Sequence, residues 1–539
     1  MHLKDSELKD SSKWEKAGIR LPSFDRAKMI AETKEEPVWV HFGAGNIFRA
    51  FPAALQQNLL NHGLARKGII AVEGYDEEII DRVYRPHDNL SLLVTLKSDG
   101  TIDKEVIGSI AEALRADCRY EAEFVRLREI FRCASLQMAS FTITEKGYSL
   151  TRGNGDLLPD VAADFAEGPS KPRSYIGKVA SLCYERYTHG AKPLALVSMD
   201  NCSHNGSKLY EAVHTFAQKW SENGKAEKGF VTYLENPDCV SFPWSMIDKI
   251  TPRPDDGVRK MLEACGFEDA EGEITAKKTY VAPFVNAEET QYLVIEDKFP
   301  NGRPQLEKAG VIFTDRATVD KAEKMKVCTC LNPLHTALAI FGCLLGYTKI
   351  SDEMKDEDLV RLIQGIGLRE GLPVVIDPGI ISPKAFLDEV IGVRLPNPFM
   401  PDTPQRIVTD TSQKIPIRFG ETIKAYLMSD RLDIAALKLI PFTLAGWCRY
   451  LMGIDDNGKP FSQSPDPMLP ELTAALAGIK LGQSGPFHSI LQPIFSREEI
   501  FGVDLYLAGL GETVEADFAE LVSGTGAVRA ALKKHLADI

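Results

Sequence analysis

Amine, amide and imidazole side chains lie close together in one short segment of the sequence, Lys326–His335. Asn332 and His335 are three residues apart, so a helix that starts there places both on one face, with Lys326 just upstream. An amine, an amide and an imidazole that converge on one point can remove a proton from an alcohol or return it to a carbonyl. The structural alternative is that His335 is a hydrogen-bonded histidine inside an apolar helix.

Three further segments place polar residues directly after apolar runs, which is where the strand ends of an α/β protein meet a cleft. They contain the acids Glu145, Asp200 and Asp248, and Asn201 follows Asp200 directly. Each acid could instead be an ordinary ion-pair partner or a helix cap. The segments are Thr144–Tyr148, Ser198–Gly206 and Phe242–Pro252.

The segment His41–Phe51 has the sequence of a turn that binds phosphate groups. It contains Gly43-Ala-Gly45, follows a predicted strand and opens a helical pattern, as a dinucleotide-binding turn does. Gly43 would allow the tight turn, and Gly45 would let the backbone approach a pyrophosphate at the helix start. Phe48 stands where the third glycine of the fingerprint belongs, and a plain strand-to-helix loop is the alternative. The candidate cofactor contacts are Gly43, Gly45, Asn46, Ile47, Phe48 and Arg49.

An acidic residue ends the next predicted strand. Ile69–Val72 is followed by Glu73-Gly-Tyr-Asp76. A carboxylate at this strand end binds the 2′-hydroxyl of a ribose and repels a 2′-phosphate, so Glu73 predicts NAD rather than NADP. Asp76 competes with Glu73 for the same contact.

These motifs need elements that hold them, and the apolar pattern predicts two kinds. From Val38 to about residue 315, short runs rich in Val and Ile alternate with helical patterns, which is typical of the buried parallel strands of a doubly wound sheet. Beyond that point the periodicity is 3.6 residues and β-branched runs are few. The sequence therefore predicts an α/β protein with an N-terminal arm (1–36), a Rossmann-type dinucleotide-binding domain (37–315) and a mainly α-helical substrate and catalytic domain (316–539).

Composition limits the classes of partner. The 539 residues are 44% hydrophobic and 26% charged, as in ordinary globular proteins, and the net charge of -13 argues against nucleic-acid or anionic-membrane partners. The N-terminus is polar and no eighteen apolar residues run unbroken, so a cytoplasmic protein is expected. The ten cysteines are scattered, and the pair Cys328 and Cys330 lacks a second pair at zinc-site spacing, so no metal is expected. The oligomeric state stays open.

In its order of short motifs, the chain resembles the polyol-specific long-chain dehydrogenase/reductase family. This family includes mannitol dehydrogenases and the hexuronate reductases that act on fructuronate and tagaturonate. The likeness runs from about Val38 to Tyr450. It is carried by the motifs His41–Arg49, Thr144–Tyr148, Asp200-Asn201 with Asn205-Gly206, Phe242-Pro243 with Ser245-Met246 and Asp248, Asn332-x-x-His335, Asn397-Pro398, Arg406-Ile407-x-x-Asp410-x-Ser412-x-Lys414, and Trp447-x-Arg449-Tyr450.

The resemblance implies a Rossmann-type domain, a helical domain and catalysis without a metal ion. By motif position, Lys326 would be the general acid/base, and Asn201 and Asn332 would stabilise the developing alkoxide. His335 would orient the substrate. The remaining carried-over residues are Arg406 and Lys414, which would hold substrate oxygens, and Glu145 and Asp248, which would belong to a proton relay.

Two departures from the family pattern bear on the chemistry and on the substrate. Lys326 lies six residues before Asn332, whereas the family spacing is five, and Trp244 and Pro333 replace an asparagine and a small residue. A keto-hexuronate substrate, fructuronate reduced to mannonate, is favoured because a carboxylate needs a basic anchor. The cations available for it are Arg394, Arg406, Lys414 and Arg418.

Other functions stay open from the sequence. The substrate could be the fructose and mannitol pair or tagaturonate, since spacing does not encode pocket geometry. A protein of another class, an NAD-binding sensor without turnover, would keep the same turn. A zinc-dependent dehydrogenase would use Cys328, Cys330 and His335.

Overall fold

The computed structural model describes residues 1–254 and 256–537 and divides into two compact units. The N-terminal unit comprises Met1–Lys97 and Thr101–Asp320, and the C-terminal unit comprises Ser98–Gly100 and the chain from Lys321 onward. The division between the units falls inside the helix Arg316–Lys324. The boundary predicted from the sequence, 315/316, lies at the start of the same helix.

All strands in the described part of the chain belong to the N-terminal unit. They are β1 (Ile19–Arg20), β2 (Trp39–Phe42), β3 (Ile69–Glu73), β4 (Ser91–Leu96), β5 (Ile102–Ile107), β6 (Ile110–Arg115), β7 (Met138–Phe141), β8 (Leu194–Ser198), β9 (Val240–Ser241), β10 (Ser245–Asp248), β11 (Glu273–Ile274), β12 (Tyr280–Val281), β13 (Phe284–Glu288), β14 (Tyr292–Glu296) and β15 (Ile312–Thr314).

Helices occur in both units. The α-helices that begin before the division are α1 (Ser11–Lys16), α2 (Arg26–Glu35), α3 (Asn46–Ala50), α4 (Pro52–Asn61), α5 (Glu121–Arg132), α6 (Thr144–Gly147), α7 (Pro159–Glu167), α8 (Tyr175–Thr188), α9 (Asn205–Glu222), α10 (Lys228–Glu235), α11 (Asp256–Ala264) and α12 (Arg316–Lys324). The C-terminal unit holds α13 (Asn332–Leu345), α14 (Ile350–Glu353), α15 (Glu357–Gln364), α16 (Pro383–Glu389), α17 (Pro404–Ile407), α18 (Thr411–Ile415), α19 (Glu421–Leu427), α20 (Leu439–Leu451), α21 (Leu469–Leu476), α22 (His488–Phe495), α23 (Glu498–Phe501), α24 (Gly511–Leu521) and α25 (Ala527–Leu536).

A six-stranded parallel sheet organises the N-terminal unit. Its strand order is β6-β3-β2-β7-β8-β9, and every neighbouring pair is parallel. Counted along the chain within this sheet, that is the Rossmann order 3-2-1-4-5-6, whose direction reverses between the first and fourth strands. Ligands bind at the carboxyl ends of the strands at this reversal, which here lies between β2 and β7.

Both faces of this sheet are covered, which is why its strands are apolar throughout. Alternate residues point to opposite faces. Val40 and Phe42 lie in one buried cluster with Val72, whereas Trp39 and Ala71 lie in a second. Continuous apolar runs are the expected sequence of such strands.

Smaller sheets complete the unit, and the first 36 residues are built into it. β1 pairs parallel with β5 in a four-stranded sheet of order β1-β5-β4-β13, and a three-stranded sheet has the order β10-β14-β15. β11 and β12 form a hairpin. Trp14 is fully buried, and the Met1 ammonium donates to the Gly266 carbonyl at 2.7 Å. The segment predicted as an arm therefore packs on the N-terminal unit.

Two helices, α13 and α20, lie side by side in the core of the C-terminal unit. Every residue of α20 is buried. A Cβ atom on Gly446 would lie 2.8 Å from Phe341 Cζ, and Phe341 stacks on Phe442 with ring centroids 5.0 Å apart. Glycine at position 446 therefore allows the two helices to approach closely.

The C-terminal unit also contains π-helical turns, which are rare and frequent at functional sites. In the part of the unit that the structure describes they are Met325–Cys330, Gly365–Gly371, Val390–Arg394 and Pro416–Gly420. The continuous helical stretch Arg316–Leu345 is long and apolar enough to cross a membrane, but 72% of its most apolar window is buried inside the protein. This burial is typical of a core helix.

Candidate functional site

The glycine turn lies at the carboxyl end of β2, where the strand order reverses. Gly43 has a φ of 102°, and a Cβ atom there would lie 2.2 Å from the Thr142 carbonyl oxygen at the end of β7. Only glycine fits this position. Gly45 has no atom within 4 Å of its Cβ position, so the space in front of the turn is open.

A cavity of about 1390 Å³ opens at this turn within the N-terminal unit. Pockets for drug-sized ligands measure roughly 300–1,000 Å³, so this one has room for a dinucleotide. Its lining includes Gly43, Gly45, Glu73, Asp76, Thr142 and Tyr175. A Gly-x-Gly turn with open space, a carboxyl at the next strand end and a cavity of this size together fit NAD.

The residues after Gly45 serve mainly to fasten α3. Phe48 is buried and its ring stacks on His41 at 4.2 Å. The Arg49 guanidinium donates to Ala282 O at 2.8 Å, to Asn46 Oδ1 at 2.9 Å and to Ser91 Oγ at 3.1 Å. Ile47, like these three residues, does not line the cavity. Cofactor contacts by Asn46, Ile47, Phe48 and Arg49 therefore stay a prediction.

Glu73 joins the two motifs that the sequence presents separately. Its Oε2 accepts the Ala44 N–H of the glycine turn at 2.9 Å, and its Oε1 accepts the N–H groups of Gly74, Tyr75 and Asp76 at 2.8–3.2 Å. The residue is only 6% exposed. This burial raises its pKa above the usual value, although the four N–H donors oppose the shift. The carboxyl group thus holds the turn against the end of β3 while lining the cavity.

Tyr175 is a cavity residue that no sequence motif indicated. It begins α8, and its buried hydroxyl has no hydrogen-bond partner among the described residues. Burial raises the pKa of this phenol well above its usual value, so the hydroxyl is a neutral donor. An unpaired buried hydroxyl costs about 1–3 kcal/mol, which a bound ligand would offset.

Asp200 ties the ends of β7 and β8 together. Its carboxylate accepts the N–H groups of Ile143 and Thr144, each at 2.9 Å, and the Tyr148 hydroxyl at 2.5 Å. The Tyr148 oxygen also contacts Ser198 Oγ at 2.7 Å. Burial raises the pKa of Asp200, whereas these hydrogen bonds lower it. Asp200 thereby fixes the loop that continues with Asn201.

Asn205 and Gly206 join this loop to β10. The Asn205 amide donates to Asp200 O at 3.0 Å and to Ser245 O at 2.9 Å, and it accepts the Ser245 N–H at 3.0 Å. A Cβ atom on Gly206 would lie 2.6 Å from Phe242 O. The separate motifs around residues 200 and 245 are therefore one packed structure.

The two predicted relay acids differ in exposure. Glu145 lies on α6, is 64% exposed at its side chain and forms an ion pair with Lys208. Asp248 ends β10 and is buried. Their relay role stays a prediction.

Lys326 lies in the π-helical turn that precedes α13. The turn is Met325–Cys330, and the Leu331 N–H donates to the Lys326 carbonyl, five residues back, at 3.1 Å. Because a π-turn contains one more residue than an α-turn, it accommodates the sixth residue between Lys326 and Asn332. Lys326 is 2% exposed.

His335 lies one turn into α13, on the same helix as Asn332. Its Nε2 has no hydrogen-bond partner among the described residues and lies 3.8 Å from Asp402 Oδ2. Burial and the charges of four nearby cations together lower the pKa of His335 to about 3; the cations are Arg418, Arg406, Arg394 and Lys414. The ring is neutral at pH 7, so one of its two nitrogens can accept a hydrogen bond.

The structure thus brings Arg406 and Lys414 to the surroundings of His335, as their shared effect on its pKa shows. Arg406 has a side chain that is 63% exposed and pairs with Asp402. Lys414 donates to the carbonyls of Ile407 and Thr409, and burial and Arg418 lower its pKa.

Cys328 and Cys330, which are both free thiols, lie in the π-turn. The buried Cys330 thiol contacts the Pro383 carbonyl at 3.8 Å, and burial raises its pKa to about 12. Within the part of the chain that the structure describes, three potential metal ligands lie within 4.8 Å of one another at Asp517, Glu520 and His535. Neither Cys328 nor Cys330 belongs to this group. There the Lys534 ammonium donates to Glu520 at 3.0 Å.

Comparison with known proteins covers both units. The family model described as mannitol dehydrogenase Rossmann domain matches residues 38–308, and the mannitol dehydrogenase C-terminal domain matches residues 318–518. A D-mannonate oxidoreductase of Thermotoga maritima is 54% identical over 536 residues, 99% of both chains.

Two solved structures have the same fold. The ternary complex of Pseudomonas fluorescens mannitol 2-dehydrogenase with NAD and D-mannitol has a TM-score of 0.70 and 26% identity over 100% of both chains. A substrate-free D-sorbitol dehydrogenase has a TM-score of 0.81 and 24% identity over 99% of this chain and 100% of its own.

Proposed function

The chain belongs to the mannitol dehydrogenase family, and we propose that it interconverts the keto-hexuronate fructuronate and the aldonate mannonate. The family resemblance and the fold class predicted from the sequence are confirmed. The protein is an NAD-dependent dehydrogenase that acts on a CH–OH group. The observation that carries the substrate is the 54% identity, over 99% of both chains, to a protein named D-mannonate oxidoreductase. Reduction of the keto group of fructuronate gives mannonate.

The cofactor would lie in the cavity beside the glycine turn. Bound there, NAD would supply the hydride acceptor for oxidation of the alcohol carbon, and NADH would supply the hydride for reduction of the carbonyl carbon. Gly43 and Gly45 keep the backbone close and the space open, and Glu73 holds the turn. Glu73 would also favour a ribose 2′-hydroxyl over a phosphate.

Proton transfer is assigned to Lys326, as the family resemblance implies. In reduction its ammonium would give a proton to the alkoxide oxygen, and in oxidation the amine would remove the hydroxyl proton. Asn201 and Asn332 are proposed as the amide donors that stabilise the alkoxide. The neutral His335 would accept a hydrogen bond from a substrate hydroxyl and so orient the sugar.

By their positions in the family motifs, Arg406 and Lys414 would bind substrate oxygens. Glu145 and Asp248 would take part in the proton relay. We propose that the protein acts on a small sugar acid in the cytoplasm. Its net charge of -13 argues against a nucleic-acid or anionic-membrane partner.

The experiment that tests this function is NADH oxidation by the purified protein, followed by absorbance, on fructuronate, tagaturonate and fructose at equal concentrations. Each assay is run with and without EDTA. We expect turnover of fructuronate in preference to the others and no effect of the chelator. Turnover of fructose alone would make the protein a mannitol-type dehydrogenase, and loss of activity in EDTA would contradict the metal-free mechanism.

A further inference from the structure

We propose that Arg418 binds the carboxylate of the substrate beside His335 and thereby selects a keto-hexuronate over an uncharged ketose. The inference rests on the proposed function and assigns its specificity to one residue.

The position of Arg418 is set by α13. Arg418 lies in the π-helical turn Pro416–Gly420, and its Nη1 donates to the Thr336 hydroxyl. Thr336 is fully buried and follows His335 directly. The guanidinium is also close enough to His335, the histidine that is proposed to orient the sugar, for its charge to lower the pKa of the imidazole.

Arg418 is half-buried, and it has fewer partners than three other buried or half-buried arginines of the chain. Arg186 donates to five backbone carbonyls, and Arg449 donates to three. Arg529 pairs with two aspartates. For Arg418 the structure gives one hydroxyl and, among the described residues, no carboxylate.

Most of the donors of Arg418 are therefore without a partner among the described residues. A guanidinium has five N–H groups, and two of them can bind both oxygens of one carboxylate. Burial, with no acid to oppose it, lowers the pKa of Arg418 to about 10, although the group stays charged at pH 7. A partly buried cation without a counter-ion is costly unless a ligand supplies the negative charge.

The neighbouring charges favour an anion as well. The cations that act on His335 are Arg394, Arg406, Lys414 and Arg418. The acid that contacts His335, Asp402, is itself paired with Arg406. Arg418 is therefore the cation of this group best placed to bind an incoming carboxylate, and an uncharged ketose would not supply the negative charge that it lacks.

The test compares the wild-type enzyme with Arg418→Met, which keeps the side-chain volume and removes the charge. We expect kcat/KM for fructuronate to fall about 100-fold, mainly through KM, because a bidentate charged hydrogen bond is lost. The Kd for NADH should not change. Arg431→Met, at an exposed arginine of the same unit, is the control.

Binding of mannonate to the NAD-free and NADH-bound enzyme, measured by calorimetry, gives a readout that does not need turnover. Mannonate should bind Arg418→Met about 100-fold more weakly than wild type, and mannitol should bind both alike. Equal mannonate affinity would overturn the assignment of Arg418 while leaving the proposed function intact. Absence of fructuronate turnover by wild type would instead overturn the proposed function.

The variant Arg418→Lys tests the same proposal if the methionine variant does not fold. It retains the charge but not the planar pair of donors, so kcat/KM for fructuronate should fall about tenfold. Wild-type values for this variant would contradict bidentate binding.

Discussion

The chemistry of each charged residue here depends on the partners that surround it rather than on its type. Arg49 is 1% exposed and donates hydrogen bonds to Ala282, Asn46 and Ser91, which fixes the position of α3. Glu73 receives four N–H groups and holds a turn. Lys326 lies in the π-turn directly before the helix of Asn332 and His335. An amine at this position suits the proposed proton transfer.

Replacing Lys326 by alanine should remove the proton donor and leave the cofactor site intact. We expect kcat for fructuronate reduction to fall by about 10²–10⁴, the usual contribution of a general acid. The Kd for NADH, measured by fluorescence titration, should stay at its wild-type value. Lys321→Ala, at an exposed position of α12, serves as the control. A kcat within fivefold of wild type would move the acid/base role to Lys324 or elsewhere.

Among the elements, the π-turn Met325–Cys330 has the most direct effect on the site. One residue advances an α-helix by about 100°, so a simple insertion between Lys326 and Asn332 would rotate the lysine away from the amide. The wider turn takes up that residue, as the bond from Leu331 N–H to Lys326 O shows.

Deletion of Cys328 should therefore convert the π-turn into an α-turn and keep Lys326 aligned with Asn332. We expect kcat within about tenfold of wild type for the deletion. Insertion of one alanine after Cys328 should rotate Lys326 by about 100° and lower kcat at least 100-fold. If the deletion is as inactive as the insertion, the π-turn does not have this aligning role.

The helix α20 depends on a cap supplied from a distant part of the chain. Glu370, in the turn Gly365–Gly371, accepts the N–H groups of Lys438, Leu439 and Ile440 at 2.6–2.8 Å. These donors have no partner within the helix, and the carboxylate also complements the helix dipole.

Glu370→Ala should lower the free energy of unfolding by about 2 kcal/mol, because it removes a buried cap. The measurement is urea unfolding followed by circular dichroism, with NADH affinity as a check that the N-terminal unit is unaffected. Glu421→Ala, which breaks the exposed pair with Lys424, should cost no more than about 0.5 kcal/mol. Equal losses in the two variants would contradict the capping role.

At the scale of the whole molecule, one buried acid makes stability depend on pH. Glu353 is fully buried, and neither carboxyl oxygen has a hydrogen-bond partner among the described residues. It lies against Gly342 of α13, where a Cβ atom would be 1.9 Å from Oε1. Burial raises the pKa of Glu353 to about 9. The folded protein therefore keeps this proton between about pH 4.5 and 9, whereas the unfolded chain loses it, so stability falls as the pH rises through that range.

Glu353→Gln should remove this contribution, because an amide does not titrate. The slope is about 1.4 kcal/mol per pH unit, so the stability of the variant relative to wild type should rise by roughly 3 kcal/mol between pH 5.5 and pH 8. Urea unfolding at the two pH values measures the difference. Glu357→Gln, at an exposed glutamate nearby, should show no such change. A constant difference between Glu353→Gln and wild type would contradict a buried, protonated Glu353.

The sequence by itself determined the elements and the family. The predicted strand Ile69–Val72 is observed as Ile69–Glu73, and the strand predicted before the glycine turn is observed as Trp39–Phe42. A strand covered on both faces must be apolar throughout, and that requirement is visible in a short window of sequence. The glycine turn is visible for the same reason, since a φ of 102° at Gly43 requires glycine.

Only the tertiary structure decided which polar groups meet. Glu73 bonds to Ala44, Asp200 to Thr144, and Glu370 caps a helix that begins at Leu439. Arg418 reaches Thr336, 82 residues earlier, and so carries a charge to the side of His335. Such pairs join residues that are distant in sequence, and their partners are chosen by how the elements pack. Hydrophobic periodicity records which face of an element is buried, but it does not record what lies across from a polar side chain.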